Sequence, residues 1–105
     1  MRPQDVWREL LEIAKLYYDD DKVFYSKTKR GVYKIKSFSK DKIVIKKLRG
    51  RVDEVLTKKR FIENWDRIVY GVEWNIPTAV KSFLKLHPKI HENEDGSLIF
   101  RIGEA

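Results

Sequence analysis

The sequence predicts an α+β fold with an N-terminal helix, an antiparallel β-meander of three to four strands, two further helices and a C-terminal strand that joins the sheet. Two patterns predict this order. Apolar residues recur at helical spacing before residue 18 and after residue 57, whereas residues 22–56 carry short runs that mix apolar and basic side chains. Because no linker or repeat divides the chain, residues 1–105 are expected to form a single domain.

The first helix is predicted over residues 3–18. Pro3 suits the first helical position, and Asp5 favours the positively polarised end of a helix. Apolar residues at positions 6, 10, 13 and 17 have a second apolar row beside them, so the helix should be well buried. Three consecutive aspartates at positions 19–21 are expected to end it and to remain solvated.

The strands of the meander are predicted at residues 23–25, 32–38, 43–48 and 52–56, with turn-forming segments between them. Alternation in the second strand places Tyr33 and Ile35 on one face, which is expected to be the core face, and lysines on the other. The third strand mixes apolar and basic residues on both faces. Such a face is either covered by a helix or kept for a partner.

Helical signals return after the meander. Thr57 is predicted to cap a second helix that runs to about residue 69, where Gly71 closes it. Asn75 is predicted to cap a third helix, with Pro77 in its first turn and Pro88 at its end. Residues 97–102 form the predicted last strand. Trp7 and Trp65 lie on apolar helix faces and are expected in the core.

The positive charge is concentrated in the meander. Residues 22–60 contain 15 Lys and Arg but only three acidic residues, a local charge of +12. The other 66 residues contain 8 basic and 13 acidic residues, a charge of −5, which gives +7 for the whole chain. Charge segregated onto one structural unit is typical of a nucleic-acid-binding surface. The alternative is a solvated lysine face, as in many Lys-rich proteins of thermophiles.

Basic and aromatic side chains of this segment predict how a single strand would bind. Lysines and arginines would hold phosphates while aromatic rings stack on bases. Phe38 is assigned to the face of Lys34 and Lys36 by alternation, and Trp74 lies in a connection between helices, where it could stack on a base. The predicted nucleic-acid-binding residues are Lys34, Lys36, Phe38, Lys46, Arg49, Arg30, Tyr25 and Trp74.

No catalytic, cofactor or metal site is predicted. The chain has no cysteine, which excludes disulfides, thiolate zinc sites and cysteine nucleophiles. No serine lies in a nucleophile elbow, and no glycine-rich phosphate loop occurs. His87 and His91 have metal-ligand spacing only on a helix, and Pro88 is expected to end that helix between them.

Composition also predicts the location of the protein. No apolar run approaches the roughly 20 residues of a membrane span, and charges through residues 2–12 are unlike a signal peptide. A cytoplasmic protein without membrane contact is therefore expected. Abundant lysine and glutamate with few amide side chains is typical of proteins from hyperthermophiles.

The order of a helix, a basic aromatic meander and then residues 56–65, LTKKRFIENW, resembles the small archaeal single-stranded DNA-binding proteins of the ThermoDBP type. The resemblance covers roughly residues 1–85. It implies a sheet-and-helix fold in which a hydrophobic cleft, flanked by basic residues, holds single-stranded DNA. The C-terminal zipper of that type has no heptad equivalent in this sequence.

The sequence thus predicts a non-catalytic protein that binds single-stranded DNA or RNA, with DNA favoured by the resemblance. One alternative is a protein-interaction subunit of a nucleic-acid-processing complex, whose basic sheet would meet an acidic partner. Another is a small metal-dependent nuclease or RNA-processing enzyme. Both a homo-oligomer and a monomer in a larger complex remain open at this point.

Overall fold

The computed structural model describes residues 1–102 and confirms the α+β class. One long helix comes first, four strands follow it, three short helices come next, and two short strands end the described chain. In order, the elements are α1 (Pro3–Asp19), β1 (Val23–Tyr25), β2 (Val32–Ser39), β3 (Lys42–Lys47), β4 (Glu54–Thr57), α2 (Lys58–Glu63), α3 (Trp65–Val69), α4 (Thr78–Leu84), β5 (Ile90–Glu92) and β6 (Leu98–Phe100).

The meander forms a four-stranded antiparallel sheet in the order β1-β2-β3-β4. Alternate residues along each strand point to the same side, and on one side these are buried apolar residues. The buried set comprises Phe24, Tyr33, Ile35, Ile43, Ile45 and Leu56. As predicted, Tyr33 belongs to this core face.

Helices cover the core face. The predicted apolar row of α1 is buried through Val6, Leu10 and Ala14. Trp7 is 2% exposed, and its indole Nε1 donates a hydrogen bond to the Lys40 carbonyl oxygen at 2.8 Å. That bond fixes α1 to the turn between β2 and β3. Trp65 is also buried in the core, so the prediction for both tryptophans is confirmed.

The single helix predicted after the meander is divided into α2 and α3. The predicted cap is present, because the Thr57 hydroxyl accepts a hydrogen bond from the Arg60 N–H. The break lies at Asn64, whose φ of −108° is not helical. Its side-chain amide donates to the Arg60 carbonyl oxygen at 2.8 Å, which also accepts from the Asn64 backbone N–H at 3.2 Å, so Asn64 ends α2 with two bonds to the same oxygen.

The predicted C-terminal strand does not join the main sheet. Instead β6 pairs with β5, a strand that the sequence analysis did not predict, in a separate two-stranded sheet. Phe100 of β6 packs on Trp65 with ring centroids 5.0 Å apart, so this sheet belongs to the helical layer. The last helix also starts later than predicted, with Pro77 rather than Asn75 as its N-cap residue.

Within residues 1–102, no helix is both long enough and apolar enough to cross a membrane.

Candidate nucleic-acid interface

In the described part of the chain, helices pack on only one side of the four-stranded sheet, and we call the other side the outer face. It carries large apolar side chains in contact with solvent: Tyr25 is 50% exposed, and Leu48 and Val55 are each 44% exposed. Lysines lie among them. The outer face comprises Tyr25, Val32, Lys34, Lys36, Ser37, Val44, Lys46, Leu48 and Val55.

Two predicted lysines oppose each other on this face. Lys34 of β2 and Lys46 of β3 are direct partners in the antiparallel register. Like charges at such positions destabilise a sheet. Lys34 forms an ion pair with Asp21, whereas Lys46 is exposed and has no ion pair within residues 1–102. The outer face therefore holds one lysine whose charge is not balanced by a neighbour.

Lys36 lies at a β-bulge. The register of β2 against β3 shifts between Ile35 and Ser37, which leaves Lys36 as the extra residue. Its Nζ lies 2.7 Å from Oδ2 of Asp53, in the segment before β4. The lysine thus extends across β3 on the outer face, as predicted for its side of the sheet.

The bulge overturns the predicted orientation of Phe38. After the bulge, Phe38 is the cross-strand partner of Ile43, which is fully buried in the core. Phe38 therefore points to the core side of the sheet and not to the side of the lysines. The Phe38 ring is half-buried under α1 and meets Tyr18 edge-on at 5.7 Å between centroids. Phe38 is therefore placed among the core-facing residues and away from the outer face.

The two other predicted aromatic residues differ in exposure. Tyr25 lies on the outer face beside Val32, where its half-exposed ring presents a surface on which a base can stack. Trp74 is only 7% exposed and belongs to the hydrophobic core, so its position in a connecting segment does not make it a stacking surface. The structure brings Tyr25, and not Trp74, to the lysines.

Arg30 and Arg49 lie together at one end of the sheet. The Arg49 Nη1 donates a hydrogen bond to the Arg30 carbonyl oxygen at 3.2 Å, and both residues are exposed. Both arginines adjoin the outer face. Leu48, the residue before Arg49, belongs to that face, and its N–H donates to the carbonyl oxygen of Val32 at 2.9 Å. Both predicted arginines are therefore within the same basic region as the lysines.

Sequence reasoning missed Tyr18. Its spacing of four residues from Ala14 predicts burial, yet it is 51% exposed and lines a hollow together with Lys34, Lys46 and Leu48. Tyr18 lies in the last turn of α1, where the helix reaches the margin of the sheet. No pattern in the sequence marks that margin.

His87 and His91 belong to different surroundings in the described structure, His87 to the core and His91 to β5. Among residues 1–102 no group of three or more potential metal ligands comes together. His87 is 2% exposed; its Nδ1 accepts from the Lys89 N–H at 3.1 Å, and its Nε2 lies 2.8 Å from Oε1 of Glu9. These two bonds fix the ring in the core with the proton of its neutral form on Nε2.

Comparison with known proteins shows an archaeal relative. No protein-family model matches the chain, and no solved structure matches it. It is 78% identical over 101 residues to the uncharacterized protein MJ0589 of the archaeon Methanocaldococcus jannaschii. The alignment covers 96% of this chain and 99% of that protein. With this identity over nearly the whole of both chains, the protein belongs to the same family as its archaeal relative.

Proposed function

We propose that this protein binds single-stranded nucleic acid on the outer face, without a catalytic step. The observation that carries the proposal is one uncovered surface that combines exposed Tyr25, Leu48 and Val55 with the unbalanced charge of Lys46. An apolar surface left in water is unfavourable unless a partner covers it. A partner with flat apolar groups would cover the exposed apolar side chains, and its regularly spaced negative charges would pair with the lysines.

Single-stranded nucleic acid has this chemistry. Its bases expose their faces to stack on Tyr25 and to pack on the apolar side chains, while its phosphates pair with Lys46 and displace Asp21 or Asp53 from Lys34 and Lys36. A duplex hides the faces of its bases and would meet the lysines alone. The preference for DNA over RNA depends on the resemblance to the ThermoDBP type, and the proposed location is the cytoplasm.

Fluorescence anisotropy with labelled poly-dT, poly-U and a duplex, each at two salt concentrations, tests the proposal. We expect the single strands to bind more tightly than the duplex. The logarithm of affinity should fall with the logarithm of salt concentration, with a slope of about −0.7 for each phosphate neutralised. Equal weak binding to all three would contradict the proposal. Labelled strands incubated with Mg²⁺ or Mn²⁺ should remain uncleaved.

The exposed apolar residues also favour a second candidate. Leu48 and Val55 are suited to a protein surface, and the surrounding lysines would select an acidic partner or an acidic region of a second copy of the chain. Purification of complexes with and without nuclease treatment separates the candidates. A partner protein that is retained after nuclease treatment would favour this interaction role.

A further inference from the structure

A narrow cleft of about 300 Å³ lies beside the outer face, between the β2–β3 end of the sheet and the beginning of α4. Its volume is at the lower limit for small-ligand sites. Val32 contributes to the cleft and pairs with Tyr25 on the outer face, so the two surfaces adjoin. The polar residues that line it are Arg30, Tyr33, Lys47, Arg49 and Thr78.

The cleft contains a polar atom without a partner. Tyr33 is only 6% exposed, and within residues 1–102 its hydroxyl makes no hydrogen bond. Every fully enclosed side-chain nitrogen and oxygen atom in that part of the chain has a partner, so this hydroxyl must open into the cleft that its ring lines. Because no protein group within residues 1–102 accepts from it, this hydroxyl is available to donate a hydrogen bond to a ligand that enters the cleft.

Three basic residues, Arg30, Lys47 and Arg49, line the same cleft as this hydroxyl. Arg49 is held across the mouth by its bond to the Arg30 carbonyl, and within residues 1–102 neither guanidinium forms an ion pair. Lys47 lies on the opposite strand and pairs with Glu54 at 2.7 Å. Two guanidinium groups and one phenolic donor form a set that binds phosphate oxygens.

The loop that carries Arg30 is itself ordered around the cleft. The Gly31 N–H donates to the Ser26 hydroxyl at 2.9 Å, and the Ser26 N–H donates to the Gly31 carbonyl oxygen at 3.1 Å. A Cβ at position 31 would overlap the Tyr33 hydroxyl. Glycine at this position is therefore required for Tyr33 to reach the cleft.

We propose that this cleft binds the terminal phosphate monoester of a strand that lies on the outer face, an inference that depends on the proposed function. A terminal monoester carries a charge of about −2 at neutral pH, which matches the two guanidinium groups. A phosphodiester within the strand carries a single negative charge, and the strand continues on both sides of it. Residues 77–79 at the start of α4 also line the cleft, and a strand end can enter beside them without continuing beyond.

The test compares oligothymidylates that are identical except for a 5′-phosphate, a 3′-phosphate or no terminal phosphate. We expect one of the phosphorylated forms to bind the wild-type protein roughly tenfold more tightly than the unphosphorylated form. Tyr33→Phe and Arg49→Gln should each remove most of this preference. Tyr33→Phe should leave the affinity for the unphosphorylated strand nearly unchanged, whereas Arg49→Gln should also lower that affinity because Arg49 belongs to the basic region beside the outer face.

Tyr33→Phe is a conservative probe because the hydroxyl that it removes makes no hydrogen bond to the described part of the chain, residues 1–102. Tyr25→Phe is its matched control, since it removes a phenolic hydroxyl outside the cleft, and it should keep the preference. Equal affinity of the wild-type protein for all three oligonucleotides, or a preference that survives both cleft variants, would overturn the terminal-phosphate site alone. Absence of binding to every oligonucleotide would instead contradict the proposed function, and the terminal-phosphate site with it.

Discussion

Lys34 and Lys46 face each other across β2 and β3 on the side of the sheet that no described helix covers. Within residues 1–102, Lys34 pairs with Asp21 and Lys46 has no acidic partner. The sheet therefore retains an electrostatic repulsion that one acidic substitution would remove. A repulsion of this kind is expected where selection acts on anion binding rather than on stability.

Lys46→Glu should move stability and binding in opposite directions. The new pair of opposite charges with Lys34 should raise the free energy of unfolding by about 0.2–1 kcal/mol. Affinity for oligothymidylate should fall, and the salt slope should become shallower by at least about 0.7 because one phosphate contact is lost. Urea denaturation measures the first effect, and anisotropy at several salt concentrations measures the second.

Lys89→Glu is the matched control for Lys46→Glu. It makes the same change in charge on a partly exposed lysine that lies next to His87, outside the outer face. Its affinity should stay close to that of the wild-type protein. If the two variants weaken binding equally, net charge governs the interaction and the outer face has no special role.

Tyr25→Ala should weaken binding without unfolding the protein. Loss of one stacked base corresponds to about 1–3 kcal/mol, whereas the half-exposed ring contributes little to the core. Tyr70→Ala is the control, because Tyr70 is 76% exposed and follows α3 in the helical layer. Affinities from anisotropy should separate the two variants. Unchanged affinity in Tyr25→Ala would exclude this ring from the interface.

Phe38→Ala should have the reverse effect. The ring packs on Tyr18 and on the core, so its loss should reduce the free energy of unfolding by part of the ~3–5 kcal/mol typical of a fully buried phenylalanine. Affinity for single strands should change little under conditions in which the variant is folded. A large loss of affinity with unchanged stability would show that Phe38 contacts the ligand after all.

Acid should weaken the turn between β5 and β6. Hydrogen bonds from the Ser97 hydroxyl, and then from its backbone N–H, lower the pKa of Asp95 below the ordinary value of 3.8. Since the folded pKa is the lower one, this contribution to stability is fully present above pH 3.8 and disappears as the pH falls through the folded pKa. The protection of the Ser97 amide, obtained by NMR from its exchange rate relative to the intrinsic rate at each pH, should fall only at the acid end. Asp95→Asn should remove that pH dependence.

The sequence predicted those elements whose signal is local. The row at Val6, Leu10 and Ala14 predicted α1, and Thr57 predicted a helix start. Alternation predicted the strands of the meander. It also placed Lys34 and Lys36 correctly, because Lys34 lies before the register shift and the alternation is broken only after Lys36, the extra residue of the bulge.

The remaining differences come from interactions that short patterns do not contain. Neither Lys36 nor Ser37 has a backbone preference that marks a bulge, so the orientation of Phe38 could not be predicted. β5 has only three residues, too few to show the alternation of a strand in the sequence. Because β6 pairs with β5, it does not join the main sheet. Burial of Trp74 depends on distant parts of the core.

The carboxylates of Asp21 and Asp53 give the outer face an internal competitor for its own lysines. A small anion in solution must displace a carboxylate that is already in place, and it gains little by doing so. A polymer displaces both at once while its bases cover the apolar surface, so the exchange becomes favourable only for a long and aromatic polyanion. In the proposed function, the ion pairs would thereby select against the abundant small phosphates of a cell.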